Sequence, residues 1–336
     1  MAKRWFLVAS LVTMLATLTV ACSSGRSTGL TVYSGQHEQT MTALVTAFEK
    51  ATGVHVKVRS DDEATLANQI LQEGSHSPAD VFVAENPPAL TLLEEHQLLA
   101  PVDAATLAAV PKEDSSSAGD FVGVSARTAA LAYNTDKLTA DQLPNSVLDF
   151  ANPSWKGRVG FAPTETDFQP IITTIAKLHG EDAAQHWLTG LKANGKVYSD
   201  NETLIAAVNK GEVASGLVDH YYWYRLRDEV GANNVHSALH FYAPGDPGNL
   251  VDISGAGILK SSKHQADAQR FLAYLTSQPA QTIIATSESW EYPIVPGVTD
   301  TRLEVPFDQL HPPPMTISDL GDGTASLKAL QQVGLL

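Results

Sequence analysis

Three short stretches of the chain collect side chains that bind metal ions or small ligands. They are Ser34-Gly35-Gln36-His37, Glu85 with its neighbours, and Asp219-His220-Tyr221-Tyr222-Trp223-Tyr224, which holds two adjacent phenols. A phenol loses its proton only near pH 10, so phenolate ligands at neutral pH require a strong, hard Lewis acid. Ferric iron meets that requirement best, because Ca²⁺ and Mg²⁺ favour carboxylates, carbonyls and water, whereas zinc and copper favour His and Cys.

Each of these residues also has an ordinary structural explanation. His37 follows a glycine turn and fits a turn or helix-cap residue, and Glu85 fits a helix N-terminal acid before Asn86. Tyr221 and Tyr222 fit an aromatic wall that stacks on a sugar or peptide, or part of a domain interface. From the residue types alone, these interpretations stay open beside the ferric site.

The donors follow segments whose hydrophobic patterns alternate between strand and helix. The predicted strands are residues 30–33, 54–58, 79–83, 121–125, 130–133 and 213–218. Helical patterns lie between the first three strands, which predicts a βαβαβ unit. Since open parallel sheets bind ligands at the carboxyl ends of their strands, we expect the imidazole, the carboxylate and the phenols to line one ligand site.

Composition narrows the class of protein. The 336 residues, 43% of them hydrophobic, predict two domains with sizeable cores, and a net charge of -15 argues against a nucleic-acid partner. The single cysteine excludes an intrachain disulfide, a Cys-rich zinc site and an iron–sulfur cluster. The sequence has neither the H-E-x-x-H motif of zinc proteases nor the dinucleotide-binding motif G-x-G-x-x-G. We therefore expect that the protein is not an enzyme. The alternative is a secreted zinc enzyme that uses His37 and Glu85.

The N-terminus has the pattern of a secretory signal. Lys3 and Arg4 precede an apolar run that ends in Leu18-Thr19-Val20-Ala21-Cys22. We expect residues 1–21 to be a signal peptide and 22–29 a linker. The segment resembles a bacterial lipobox, which implies lipidation of Cys22, although Thr19 departs from the usual aliphatic residue. The alternative is an uncleaved anchor helix, and in both cases the remaining chain is extracytoplasmic.

Five motifs occur in the order found in the bacterial ferric-ion-binding proteins, the solute-binding components of iron ABC importers. They are Tyr33-Ser34-Gly35-Gln36-His37, Pro78-Ala79-Asp80-Val81-Phe82-Val83-Ala84-Glu85, Ser146-Val147-Leu148-Asp149-Phe150, Trp155-Lys156-Gly157 and Asp219-His220-Tyr221-Tyr222-Trp223-Tyr224. The resemblance runs from about Leu30 to the C-terminus. It implies an α/β, two-lobed periplasmic-binding-protein fold of type II, with the ligand in the interlobe cleft. We expect lobe 1 to be residues 30–128 and 251–303, and lobe 2 residues 129–250 and 304–336.

The resemblance also implies the ligands and partners. It makes His37, Glu85, Tyr221 and Tyr222 the ligands to Fe(III), completed by a synergistic anion such as carbonate or phosphate. The implied partner is the permease of an iron ABC importer. With the lipobox-like segment at Cys22, we expect the receptor to be a lipid-anchored monomer. The runner-up is a receptor of the same fold for an oxyanion, a polyamine or a sugar.

One stretch departs from the family pattern. Relatives that hold an anion present a Ser/Gly-rich turn where this chain has Glu165 and Asp167, whose carboxylates would repel an anion. Asn86 and Asn201 match anion-contact positions, and Asp219 stands where Asn is expected. We hypothesise that Glu165 or Asp167 lies near the iron and weakens the need for an anion. The alternatives are that both are helix-start acids pointing to solvent, and that Asn201 belongs to a capping box before Leu204.

Overall fold

The computed structural model describes residues 29–336, so Cys22 and the predicted signal peptide lie outside the described residues. The strands are β1 Leu30–Ser34, β2 Val56–Ser60, β3 Val81–Ala84, β4 Leu99–Ala100, β5 Phe121–Asn134, β6 Val159–Phe161, β7 Lys196–Val197, β8 Ser215–Asp219, β9 Ser237–His240, β10 Val251–Leu259 and β11 Tyr292–Pro293. The helices are α1 Glu38–Thr52, α2 Glu63–Glu73, α3 Pro87–Glu95, α4 Ala104–Leu107, α5 Gln169–His179, α6 Glu181–Asn194, α7 Asn201–Asn209, α8 His220–Val230, α9 Gln265–Leu275, α10 Gln278–Thr286 and α11 Thr324–Val333. Across residues 29–336, no helix has both the length and the apolar composition to span a bilayer.

The strands form a mixed sheet in the order β2-β1-β3-β10-β5-β8-β6-β7. Strands β2, β1 and β3 are parallel, as the predicted βαβαβ unit requires, and β10 runs antiparallel between β3 and β5. On the other side, β8 is antiparallel to β5, and β6 and β7 continue the sheet in parallel pairs. The carboxyl ends of β1 and β3 therefore lie side by side, since β1 pairs with both of its neighbours in register.

Strand β5 joins two halves of this sheet. Its residues 121–128 pair with β10, and its residues 129–134 pair with β8 and β9. We call the β2-β1-β3-β10 part with the start of β5 sub-sheet 1, and the β8-β6-β7 part with the end of β5 sub-sheet 2. Any motion of one sub-sheet relative to the other must bend the backbone at this shared strand.

The prediction of two separate strands at 121–125 and 130–133 is wrong. The structure has one continuous strand of 14 residues, β5. The interruption in the hydrophobic pattern comes from Ser125, Arg127 and Thr128, which are polar yet fully buried. Their partners include Glu291, Ser254 and Asp219, which are distant in the chain, so the local sequence pattern resembles a loop.

Two apolar cores support the two sub-sheets. Phe48 and Phe271 meet edge to face in the first core, with ring centroids 5.0 Å apart. The second core surrounds Phe150 and Trp187, whose indole N–H donates to the carbonyl of Val147 at 2.9 Å. The first core also includes residues of α7 and α8 across the junction, so the two halves of the molecule are packed against each other.

Candidate metal centre

The predicted donors lie at the ends of strands on both sides of the junction. His37 is the N-cap residue of α1, three residues after the end of β1, and its side chain makes no capping hydrogen bond. Glu85 follows β3. Tyr221 and Tyr222 lie in the first turn of α8, immediately after β8. Sub-sheet 1 therefore supplies the imidazole and the carboxylate, and sub-sheet 2 supplies the phenols.

The structure brings these side chains into contact. The Nε2 atom of His37 lies 3.3 Å from Oε1 of Glu85, and the hydroxyl of Tyr221 donates to the same oxygen at 3.2 Å. The rings of His37 and Tyr221 meet edge to face at 5.1 Å, and the rings of Tyr221 and Tyr222 lie 4.3 Å apart. The Nε2 atom of His37 is buried and makes no hydrogen bond. An unsatisfied imidazole nitrogen beside a carboxylate and two phenols fits a hard metal cation.

Burial and nearby carboxylates hold the phenols in their protonated form. Burial, followed by the charge of Glu85, raises the pKa of Tyr221 well above its ordinary value. Burial and the charge of Asp167 do the same to the pKa of Tyr222. A cation between these residues reverses the effect, because it favours the phenolate.

The residues predicted to contact an anion have protein partners in this structure. Asn86 donates from Nδ2 to Glu63 Oε1 at 2.6 Å and to Thr166 Oγ1 at 3.2 Å. Its own Oδ1 accepts a hydrogen bond from Arg127. Asp219 pairs with Arg127 as well, at 3.0 Å from Nε. Burial and the charge of Asp167 raise the pKa of Asp219, and Arg127 opposes that rise.

Asp167 and Asn201 face each other. Nδ2 of Asn201 donates to Oδ1 of Asp167 at 3.1 Å, and the charge of Asp167 acts on the phenol of Tyr222. Burial and the charge of Glu85 raise the pKa of Asp167 to about 6. Burial and the charge of Asp167 raise the pKa of Glu165 to about 7. Asp167 thus lies near a candidate ligand and hydrogen bonds to Asn201, so it is not an acid directed only to solvent.

The cap of α7 differs from the predicted capping box. The N-cap residue is Asp200, whose Oδ1 accepts from the backbone N–H of Thr203 at 2.6 Å. Asn201 is the first residue of the helix, and its side chain is directed to Asp167 instead. The amide of Asn201 is therefore free of any capping role.

Sequence reasoning missed a buried ionic network beside the donors. Arg127 is fully buried and lies 3.0 Å from Asp219, 3.6 Å from Asp252 and 3.8 Å from Glu291. An arginine between the two apolar segments at 121–125 and 130–133 was the available signal for this network, because a buried guanidinium needs carboxylate partners. Glu291 had no such signal, since nothing in the local sequence distinguishes it from a surface acid.

Comparison with known proteins agrees with this architecture. The family model for bacterial extracellular solute-binding proteins matches residues 76–311. The chain is 40% identical over 308 residues to the Fe(3+)-binding periplasmic protein of Serratia marcescens, covering 92% of this chain and 91% of that protein. It is also 40% identical to the major ferric iron-binding protein of Neisseria meningitidis serogroup B, covering 91% of this chain and 93% of that protein.

A solved structure gives the same result for the fold. The iron-bound HitA of Pseudomonas aeruginosa superposes with a TM-score of 0.87 at 43% sequence identity, covering 91% of this chain and 99% of HitA. The two-lobed architecture is thus shared over nearly the whole described chain. The chain belongs to the bacterial extracellular solute-binding proteins and, within them, to the ferric-ion-binding protein family, with its two-lobed periplasmic-binding-protein fold.

Proposed function

We propose that this chain is an extracytoplasmic receptor that binds one ferric ion and delivers it to the permease of an ABC importer. The proposed ligands are His37, Glu85, Tyr221 and Tyr222. The observation that carries the proposal is the contact of the Tyr221 hydroxyl with Glu85 at 3.2 Å, beside the unsatisfied Nε2 atom of His37. The relatives named above are ferric-binding by name, which supports the same cargo here.

The charges of this donor set suit a trivalent ion. Two phenolates and one carboxylate offset the 3+ charge, with the imidazole neutral, so the bound ion forms a near-neutral cluster. A near-neutral cluster avoids the large cost of burying an unpaired charge. Four protein ligands leave two positions of an octahedral ion for an exogenous anion or water. The protein performs no chemistry on the ion that it carries, so we propose that it is not an enzyme.

Binding and lobe closure are coupled in this proposal. We assign residues 30–128 and 251–303 to lobe 1 and residues 129–250 and 304–336 to lobe 2. His37 and Glu85 then belong to lobe 1, and the phenols to lobe 2, so only the closed form supplies all four ligands. Support comes from strand β5, whose pairing partners change between residues 128 and 129.

Asp167 is proposed to weaken the need for a synergistic anion such as carbonate or phosphate. It lies against Tyr222 and Asn201, where its charge repels an incoming anion. Glu165 adds a second carboxylate to the same side. Asn86, Asn201 and Asp219 remain the candidate contacts for an anion or for the ligands themselves.

Lipidation of Cys22 is proposed to tether the receptor to the outer face of the cell membrane as a monomer. The Ser- and Gly-rich residues 22–29 then act as a flexible linker. The acidic net charge of -15 keeps cations near the cleft and suits a receptor for metal ions.

A visible absorption titration tests the proposed site. Adding ferric citrate to the purified protein should produce a phenolate-to-iron charge-transfer band that saturates at one ion per chain. The double variant Tyr221→Phe/Tyr222→Phe should lose the band. Tyr242→Phe is the matched control, because Tyr242 is a buried phenol in the second core and should leave the band unchanged.

The same titration separates the rival functions. A receptor for an oxyanion, a polyamine or a sugar gives no charge-transfer band, and neither does a zinc enzyme that uses His37 and Glu85. If the folded wild-type protein shows no band, Tyr221 and Tyr222 are packing or stacking groups and the iron proposal is wrong.

The role of Glu165 and Asp167 is tested by measuring how phosphate changes the affinity for the ferric ion. The affinity of the wild type for the ferric ion should change little on adding phosphate, because the charge of Asp167 repels an anion beside the phenols. Asp167→Asn should gain about tenfold in affinity from phosphate, which corresponds to about 1.4 kcal/mol. Glu165→Gln should show a smaller gain, since Asp167 and not Glu165 is the carboxylate of this pair that raises the pKa of Tyr222. An unchanged phosphate dependence in both variants rules the idea out.

A further inference from the structure

A third carboxylate lies beside His37 and Glu85. One ligand atom from each of His37, Glu85 and Glu291 lies within 4.8 Å of the other two. Glu291 directly precedes β11, which pairs with residues 125 and 126 of β5. All three donors therefore lie on the side of sub-sheet 1, and the phenols of α8 are not among them.

Hydrogen bonds fix the position of Glu291. It is fully buried, and its Oε2 accepts from Ser125 Oγ at 3.0 Å and from Gln36 Nε2 at 3.1 Å. Its Oε1 accepts from Ser254 Oγ at 3.2 Å. Gln36 in turn accepts from the backbone N–H of His37 at 2.6 Å. One polar network thus holds both Glu291 and the residue that carries the imidazole.

We propose that His37, Glu85 and Glu291 form a second mode of metal binding, a site for a divalent transition-metal cation that does not use the phenols. One imidazole nitrogen and two carboxylate oxygens are donors that such cations accept, with metal–ligand distances of about 2.0–2.2 Å. Glu291 is fixed by its hydrogen bonds, and the His37 and Glu85 side chains, already 3.3 Å apart, move toward it to enclose the ion. Water completes the coordination.

Charge and proton availability favour a divalent ion in this position. The two carboxylates match its charge, whereas phenolates need a stronger Lewis acid because an ordinary phenol titrates near pH 10. Arg127 lies 3.8 Å from Glu291 and opposes the cation, but Asp219 and Asp252 pair with the same guanidinium. Asp219 and Asp252 thus offset the charge of the guanidinium beside the three donors.

The site has a consequence for selectivity. It goes beyond the proposed ferric site and does not depend on it, but it shares two donors with that site, so the two ions exclude each other. A divalent ion held by one sub-sheet makes no demand on Tyr221 or Tyr222. We therefore expect that a bound divalent ion does not draw the two lobes together. The receptor would then distinguish ferric from divalent ions by whether the bound ion coordinates the phenols.

Titration with cobalt(II) tests the proposal, because this ion has a visible d–d spectrum without phenolate charge transfer. The wild type should bind one Co²⁺ per chain, and Tyr221→Phe/Tyr222→Phe should retain that affinity within about threefold. Glu291→Gln should weaken binding by about tenfold or more. Glu94→Gln is the control, since Glu94 is a partly buried carboxylate on α3 that accepts a hydrogen bond from Ser116, away from the three donors.

The outcomes decide between the two modes of binding. The divalent site is ruled out if the wild type does not bind Co²⁺. It is also ruled out if Glu291→Gln binds with wild-type affinity, or if the tyrosine double variant and Glu291→Gln weaken binding equally. Glu291→Asp serves if Glu291→Gln does not fold, because it keeps the charge and withdraws the oxygens by one methylene. The ferric charge-transfer band is measured separately on each variant, so loss of the ferric proposal is distinguishable from loss of this one.

Discussion

The two phenols decide which ions the proposed ferric site can select. Both are buried, and each has a carboxylate near it that raises the pKa of the phenol above its ordinary value. A phenolate at neutral pH is therefore available only to an ion that can displace the proton. Glu85 serves both states, because it accepts from Tyr221 without the ion and is a proposed ligand with it.

Ferric binding should release about two protons per ion at pH 7, one from each phenol. The raised pKa values mean that the ion-free protein holds both protons, so lowering the pH favours the free form. The affinity for the ferric ion should therefore fall about a hundredfold for each unit by which the pH is lowered. Calorimetry in buffers of different ionisation enthalpy, with one ferric chelate throughout, measures the proton count.

Tyr222→Phe gives the matched comparison for that count. It should release about one proton fewer than the wild type, with the chelate's own protons cancelling in the difference. Equal proton release by the two proteins contradicts the assignment of Tyr222 as a phenolate ligand.

At the scale of the elements, one residue connects helix α8 to strand β5 through a hydrogen bond. His220 begins α8; its Nδ1 accepts from the backbone N–H of Thr128 at 3.3 Å, and its Nε2 lies 2.8 Å from the carbonyl of Trp290. These contacts assign the proton to Nε2 and leave Nδ1 as the acceptor. His220 thus fixes the start of the helix that carries the phenols, and it is not one of the donors.

This histidine should make the fold sensitive to acid. Burial lowers the pKa of His220 to about 3, so the folded state keeps it neutral while the unfolded chain takes up a proton near pH 6.5. The free energy of unfolding should fall as the pH is lowered through 6.5. Between pH 7 and pH 5, the wild type should lose about 2 kcal/mol more than His220→Gln.

Urea unfolding at the two pH values measures that difference. Gln keeps an N–H donor for the carbonyl of Trp290, and His179→Gln at the exposed end of α5 controls for loss of a histidine. An equal loss of stability in wild type and His220→Gln would mean that this imidazole does not remain neutral in the folded protein.

At the scale of the whole molecule, the site lies where the two sub-sheets meet. Arg127 is the cation of that junction, and its carboxylate partners come from β8, β10 and the residue before β11. Because β5 belongs to both sub-sheets, opening of the junction bends this strand and separates the first-core residues that lie across it. The geometry suits a receptor that opens and closes around one ion.

Closure should be visible in solution scattering. The radius of gyration of the wild type should decrease on adding one equivalent of ferric ion, because all four ligands are available only when the lobes meet. Tyr221→Phe/Tyr222→Phe should keep the ion-free value. A wild-type radius that stays constant while the charge-transfer band develops would refute coupled closure.

The local elements could be predicted from the sequence, because their causes are local. Hydrophobic spacing placed β1, α1, β2, α2 and β3 in order, and the structure confirms this unit. The predicted starts at Val54, Ala79 and Val213 precede the observed starts of β2, β3 and β8 by two residues each. The choice of phenols as candidate ligands also needed only side-chain chemistry, and their role stays a prediction.

What only the tertiary structure decided is the set of contacts between distant residues. Tyr221 and Glu85 are 136 positions apart in the chain, and Gln36 and Glu291 are 255 apart, yet each pair is hydrogen bonded. The continuity of β5 and the orientation of Asp167 toward Tyr222 depend on the same packing. Periodicity reports the local backbone and the buried face, whereas the partner of a buried charge depends on which elements the fold brings together.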